Sequence, residues 1–191
     1  MPTDRFAELA EIAVDKHGLF ELEDSRAVGY ADNTIAQMAR RGVLERVSHG
    51  TYRIPFLSGG RLSAYMEATL WPSGVRGVLS RDTALDLWDV GDVNPDQIHI
   101  TVPRAHRPQR QLPAAYVIHR EDLLDTEITA IEGVSVVTLE RAVRQCAAAH
   151  LAPDLLEQAV RHGRERGLLS AEPANALTRD LGLDRLASGR A

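Results

Sequence analysis

Three scarcities bound what this 191-residue chain can do. Cysteine occurs once, at Cys146, which excludes an intrachain disulfide and any zinc site built on paired cysteines. Lysine also occurs once, at Lys16, and the other basic residues are all arginine. A P-loop needs a lysine after a glycine-rich turn, a pyridoxal-dependent enzyme needs a Schiff-base lysine, and many nucleases need a carboxylate–lysine pair. Lys16 lies near the end of an amphipathic run with none of those settings, so those chemistries are set aside. The third scarcity is of long apolar runs: none approaches the roughly 20 residues that span a bilayer. The N-terminus, MPTDRFAELAEIAVDKHG, has acids where a secretory signal has a basic head and an apolar stretch. A soluble cytoplasmic protein with no membrane partner is expected. Internal repeats and low-complexity tracts are also lacking.

What is present is an ordinary globular balance, with 44% apolar and 26% charged residues. A chain of this length buries a core without staples. The net charge of −5 rules out a polycation that coats nucleic acid along its whole surface.

The pattern of apolar residues predicts an α+β chain: an N-terminal winged helix-turn-helix, residues 1–57, followed by a mixed α+β domain, residues 61–191. Phe6, Leu9, Ala10, Ala13 and Val14 recur at helical spacing until Gly18. Leu19 to Leu22 reads as a short connection, and Asp24 or Ser25 caps a brief helix that stops at Gly29. Asp32 is a good N-cap for a second helix, Asn33 to Arg41, with Gly42 suited to the left-handed position beyond its end. Leu44–Val47 and Thr51–Ile54 then read as a β-hairpin bending at Ser48, His49 and Gly50, ended by Pro55. Two short helices across a glycine-containing turn, followed by a hairpin, make the plan of a winged helix. Ser58-Gly59-Gly60 reads as a linker. Beyond it, helices are predicted at 61–70, 81–88, 138–150, 153–166 and 170–181. Strands are predicted at 98–102, 116–119, 127–131 and 134–137, and the last ten residues read as loose.

On a wheel of about 100° per residue, Ile35, Met38 and Ala39 share one arc of the second helix, and Asn33, Thr34, Gln37, Arg40 and Arg41 occupy the opposite one. Asn or Gln can pair bidentately with adenine, and Arg with guanine O6 and N7. A solvated helix face carries similar residues, so the local charge decides. Between Asn33 and Arg53 stand Arg40, Arg41, Arg46 and Arg53 against Glu45 alone, a net +3 inside a −5 protein. In the hairpin, Tyr52 and Ile54 share one face, and Thr51 and Arg53 the other. Arg46, Arg53 and the bend residue His49 are therefore candidates for the phosphate backbone or a minor groove.

A second basic stretch contains Arg104, His106, Arg107, Arg110, His119 and Arg120, with no acid between its ends and prolines at 103, 108 and 113. It reads as an exposed loop that either extends a DNA footprint or grips an acidic partner. His99, His106 and His119 meet only if their strands pair in the right register, and no paired-histidine or Glu–His spacing supports a metal site. Cys146 follows Val143 on an apolar helix face and reads as a small core residue. Ser80-Arg81-Asp82 reads as a helix start, and Asp122, Asp125 and Glu127 as a solvated turn. No catalytic residue, cofactor or metal is expected.

The assembled residues resemble a known family. GVLERVSHGTYRIP, directly after the helix-turn-helix, is similar to the wing of AbiEi-type antitoxins of abortive-infection toxin–antitoxin systems. VLSRDTALDLWDVG, IHITVPR and GVSVVTLERAVRQCA follow in the family's order, so the resemblance covers roughly residues 5–150. It implies a transcriptional autorepressor whose winged helix binds inverted repeats in double-stranded promoter DNA. It also implies a C-terminal domain that counters a cognate nucleotidyltransferase-like toxin, in a type IV arrangement that needs no stable complex. By matching position, Asn33, Thr34, Gln37, Arg40 and Arg41, with Arg46, His49 and Arg53 in the wing, would face the operator. The toxin-neutralising surface does not carry over residue by residue. Two other readings of the sequence stay open: a direct toxin-binding protein with only generic DNA affinity, and a C-terminal domain that modifies the toxin enzymatically.

Overall fold

The computed structural model of the chain describes residues 2–57, 60–72, 74–107 and 111–183. Ser58, Gly59, Ser73 and the last eight residues lie outside that range, and with them most of the linker and tail expectations. The chain divides into two compact units, 1–77 with 132–134, and 78–131 with 135–191. The helix at 61–70, assigned to the second domain by the sequence division, clusters with the first unit.

The first unit contains α1 (Pro2–Asp15), β1 (Leu19–Glu21), α2 (Leu22–Ala27), α3 (Asp32–Arg40), β2 (Glu45–Ser48), β3 (Thr51–Arg53), a 3-10 turn at Pro55–Leu57 and α4 (Arg61–Leu70). Its core is Leu9 and Ala13 from α1, Phe20 from β1, Ile35 from α3, and Leu44, Tyr52 and Ile54 from the hairpin region. Phe20 stacks on Tyr52 with ring centroids 5.8 Å apart. Residues 19–21, expected as a connection, are a strand. It pairs antiparallel with β3, Phe20 opposite Tyr52, and the sheet order is β1-β3-β2. The strand adds to the hairpin because Leu19 and Phe20 gain full burial there. β3 is thereby the central strand, covered on both edges.

The helix boundaries follow local chemistry. Asp24 is the third residue of α2, and its carboxylate accepts the Glu21 backbone N–H at 2.8 Å, so Asp24 closes the start of the helix from inside it. The same carboxylate holds the Lys16 ammonium at 2.6 Å. That contact gives the single lysine a structural role. α3 ends in a Schellman arrangement: Val43 N–H donates to Met38 C=O and Gly42 N–H to Ala39 C=O, both at 3.0 Å. Gly42 stands at φ +78°, where a side chain would be strained.

The second unit carries β4 (Val78–Leu79), α5 (Arg81–Trp88), β5 (Ile98–Val102), β6 (Tyr116–Arg120), β7 (Ile128–Ile131), β8 (Val134–Val137), α6 (Leu139–Ala148), α7 (Pro153–Glu165) and α8 (Ala171–Asp180). Its five strands run in the order β6-β5-β4-β8-β7. β4 pairs antiparallel with β5 and parallel with β8, and β5 pairs parallel with β6. Such a mixed sheet is legible only through pairings between distant residues. Glu132 and Gly133 both have positive φ, as a tight two-residue turn between β7 and β8 requires. Thr138 caps α6 by accepting the Arg141 N–H at 3.4 Å. Among the described residues, no helix is long and apolar enough to cross a membrane.

Candidate nucleic-acid interface

The candidate surface is built on α3. Ile35 is fully buried, and Met38 and Ala39 pack against the same core, so this face is fixed inward. Asn33, Thr34, Gln37, Arg40 and Arg41 are all exposed on the other side. Two contacts set the helix in place. Arg26 on α2 donates from Nε and Nη2 to the two oxygens of Asp32, at 2.8 and 2.6 Å. Arg5 Nη1 donates to the Gly29 carbonyl in the intervening turn at 3.1 Å. Asp32 is the first helical residue and Ala31 the N-cap, because the Asp32 carboxylate is held by Arg26 and does not cap the backbone. That hydrogen bond holds the Asp32 carboxyl below its ordinary range and pushes the Arg26 guanidinium up.

The wing is the β2–β3 hairpin. A register shift between Arg46 and Ser48 interrupts the pairing, and such irregularities sharpen local twist. Arg46 Nη2 lies 3.3 Å from His49 Nδ1 at the tip, and both side chains are exposed. A guanidinium has only donors, so Nδ1 accepts. Among the described residues, Arg40, Arg41 and Arg46 have no carboxylate partner.

Arg53 departs from the expectation. Its side chain is only 17% exposed, with Nη1 3.1 Å from Glu45 and Nη2 2.7 Å from Glu67 of α4. Its position on the central strand accounts for this, and Thr51, on the same face, is buried outright. The guanidinium of Arg53 thus faces two carboxylates and is largely shielded from solvent. Glu67 had no signal in the local sequence, since it approaches only when α4 folds back on the wing.

In the second unit, Arg104, Arg107 and Arg120 are exposed, and Arg110 lies outside the described residues. The backbone N–H of Arg104 donates to Asp122 at 2.9 Å, and Arg107 Nη1 donates to the carbonyls of Arg104 and His106, which turns the loop on itself. His99 and His119 come together, with Nδ1 and Nε2 3.1 Å apart, and Asp82 lies 3.6 Å from His99. The parallel β5–β6 register, Thr101 opposite His119, brings them within reach diagonally. Burial, with help from Arg81 and His99, pushes His119 down to about 4, and burial also lowers His99 against the pull of Asp82. Among the described residues, no group of three or more His, Cys, Asp or Glu is placed to hold a metal ion. A cavity of about 200 Å³ is lined by Arg81, Asp82, His99, Cys146, Ala149 and Leu151. Burial pushes the Cys146 thiol up to about 12, so it stays protonated. Arg81, which starts α5 at φ +57°, carried no sequence signal for its strained backbone.

Residues 7–55 match a family model described as a transcriptional regulator, AbiEi antitoxin. Over those residues the N-terminal unit is similar to AbiEi antitoxin regulators. The match begins inside α1 and ends two residues after β3. It therefore covers the helix-turn-helix and wing and the first of the four resembling motifs, while the other three lie beyond it. A search of curated proteins finds no match. Among solved structures, the RV2827C protein from Mycobacterium tuberculosis is similar over 92% of this chain and 71% of its own, at 18% identity and a TM-score of 0.46.

Proposed function

We propose that this chain is the antitoxin of a toxin–antitoxin operon, that it represses its own promoter through the AbiEi-type winged helix, and that its second unit counters a nucleotidyltransferase-like toxin. The observation that carries this reading is the exposed face of α3 with the wing tip. There Asn33, Thr34, Gln37, Arg40, Arg41, Arg46 and His49 project outward, and the three arginines keep their charge for DNA. Base-edge pairing falls to the α3 side chains, and phosphate contact to Arg46 and the tip. Promoters with inverted repeats would take two copies, one per half-site. The protein acts in the cytoplasm, by binding and without catalysis or cofactor. A reporter gene placed behind the chain's own upstream region tests the repression. Full-length protein should silence it and Arg41→Ala should release it; equal expression with and without the protein would refute autorepression.

The exposed arginines of the second unit support an additional reading, in which Arg104, Arg107 and Arg120 hold an acidic face of the toxin directly. Co-elution of full-length protein with the toxin, lost on charge reversal at Arg104 and Arg107, is the expected result. Separate elution of the wild-type pair would leave the type IV arrangement, without a stable complex.

A further inference from the structure

We infer that Arg53 is a positioning residue of the wing, and that α4 belongs to the DNA-binding machinery through Glu67; the inference rests on the DNA-binding reading above. Arg53 stands on the central strand β3, directly opposite Glu45 in the β2 register. Its guanidinium spans from Glu45, at 3.1 Å, to Glu67 on α4, at 2.7 Å. One side chain thus ties the edge strand that carries Arg46 to the central strand and to a helix beyond the end of the family match. Two carboxylates face its Nη atoms, its Nε is buried, and the side chain is only 17% exposed, so little of the guanidinium is turned outward to a phosphate. A guanidinium suits this bridge because its planar fork presents separate N–H groups to separate acceptors, whereas an ammonium is a point charge. What Arg53 contributes to DNA binding is the angle at which Arg46 and His49 are presented.

The test uses the full chain, with Arg53→Met, Glu67→Leu and the double variant Arg53→Met/Glu67→Leu, titrated against the gene's own upstream duplex over a range of salt. Removing Arg53 takes the cation from between two carboxylates, whereas an apolar pair of similar volume often restores packing. The double variant also leaves net charge unchanged. Arg53→Met should weaken binding roughly tenfold, and the double variant should return to within about threefold of wild type with the same salt slope. A direct phosphate contact would behave otherwise: the double variant would stay weak, and its slope would fall by about 0.9. That result, or wild-type affinity in Arg53→Met itself, overturns the inference. If Arg53→Met fails to fold, the double variant alone decides between the two slopes. Failure of the underlying reading is distinct: the wild type would then not prefer its own duplex at all.

Discussion

Arg26 clamps Asp32: one guanidinium at the end of α2 meets both carboxylate oxygens of the first residue of α3, at 2.8 and 2.6 Å. The two helices of the helix-turn-helix are thus joined across a turn whose Val28 and Tyr30 pack against the core. The clamp is exposed, so its contribution is screened by salt and is modest.

Its pH dependence has a definite sign. The carboxyl of Asp32 is held below its ordinary value of 3.8 by the Arg26 hydrogen bond. A group whose folded value is depressed contributes stability above the ordinary value and loses it as pH falls through the folded one. Asp32→Asn should therefore lower the thermal midpoint at neutral pH, and the deficit should close as pH falls below about 4. A deficit that stays constant through that range, followed by circular dichroism, would contradict the clamp.

The His99–His119 pair predicts acid sensitivity at higher pH. His119 is pushed down from 6.5 to about 4 by burial, Arg81 and His99, while Asp82 faces the pair from α5. The native state keeps the ring neutral where the unfolded chain already takes a proton. Stability is therefore complete above 6.5 and declines between 6.5 and about 4. Urea midpoints should fall over that window and fall less in His119→Asn, and the His119 ring resonances should not titrate near pH 6.5. An ordinary imidazole titration would refute the neutral pair.

Phe20 anchors the strand that makes β3 central. It is fully buried and stacked on Tyr52, so Phe20→Ala should cost about 3–5 kcal/mol, read from denaturant unfolding. A loss under about 1 kcal/mol would mean that β1 does not hold the wing sheet together.

Why Arg53 escaped the sequence reading while the α3 face did not follows from the range of the interactions. The burial of Ile35, Met38 and Ala39 is set by a helical period within one short segment, so the outward set, Asn33 to Arg41, is legible from spacing alone. β1 has three residues and no alternation to detect, and its partner Tyr52 lies far along the chain. Without β1, the β2–β3 hairpin looks two-stranded and Arg53 looks exposed. Glu67 is an unremarkable residue of a helix until that helix meets the wing. The helices of the second unit were legible from their caps and periods, down to Thr138, but its mixed strand order was not. The contact between His99 and His119 depended on that order.

Base readers and phosphate contacts should separate in mutagenesis. Gln37→Ala and Arg41→Ala should each cost about 1–3 kcal/mol on the operator, with little change on unrelated DNA. Arg46→Ala should weaken every duplex alike and reduce the salt slope by about 0.9. Equal losses on operator and scrambled duplex for Gln37→Ala would remove α3 from base recognition.

The most direct test of the central claim is fluorescence anisotropy of the full-length protein on the duplex upstream of its gene, against a scrambled duplex, at two salt concentrations. Operator binding should be at least about a thousandfold tighter than binding to the scrambled duplex. Weak, equal and steeply salt-dependent binding to both would contradict it, and would leave the winged helix a generic anchor.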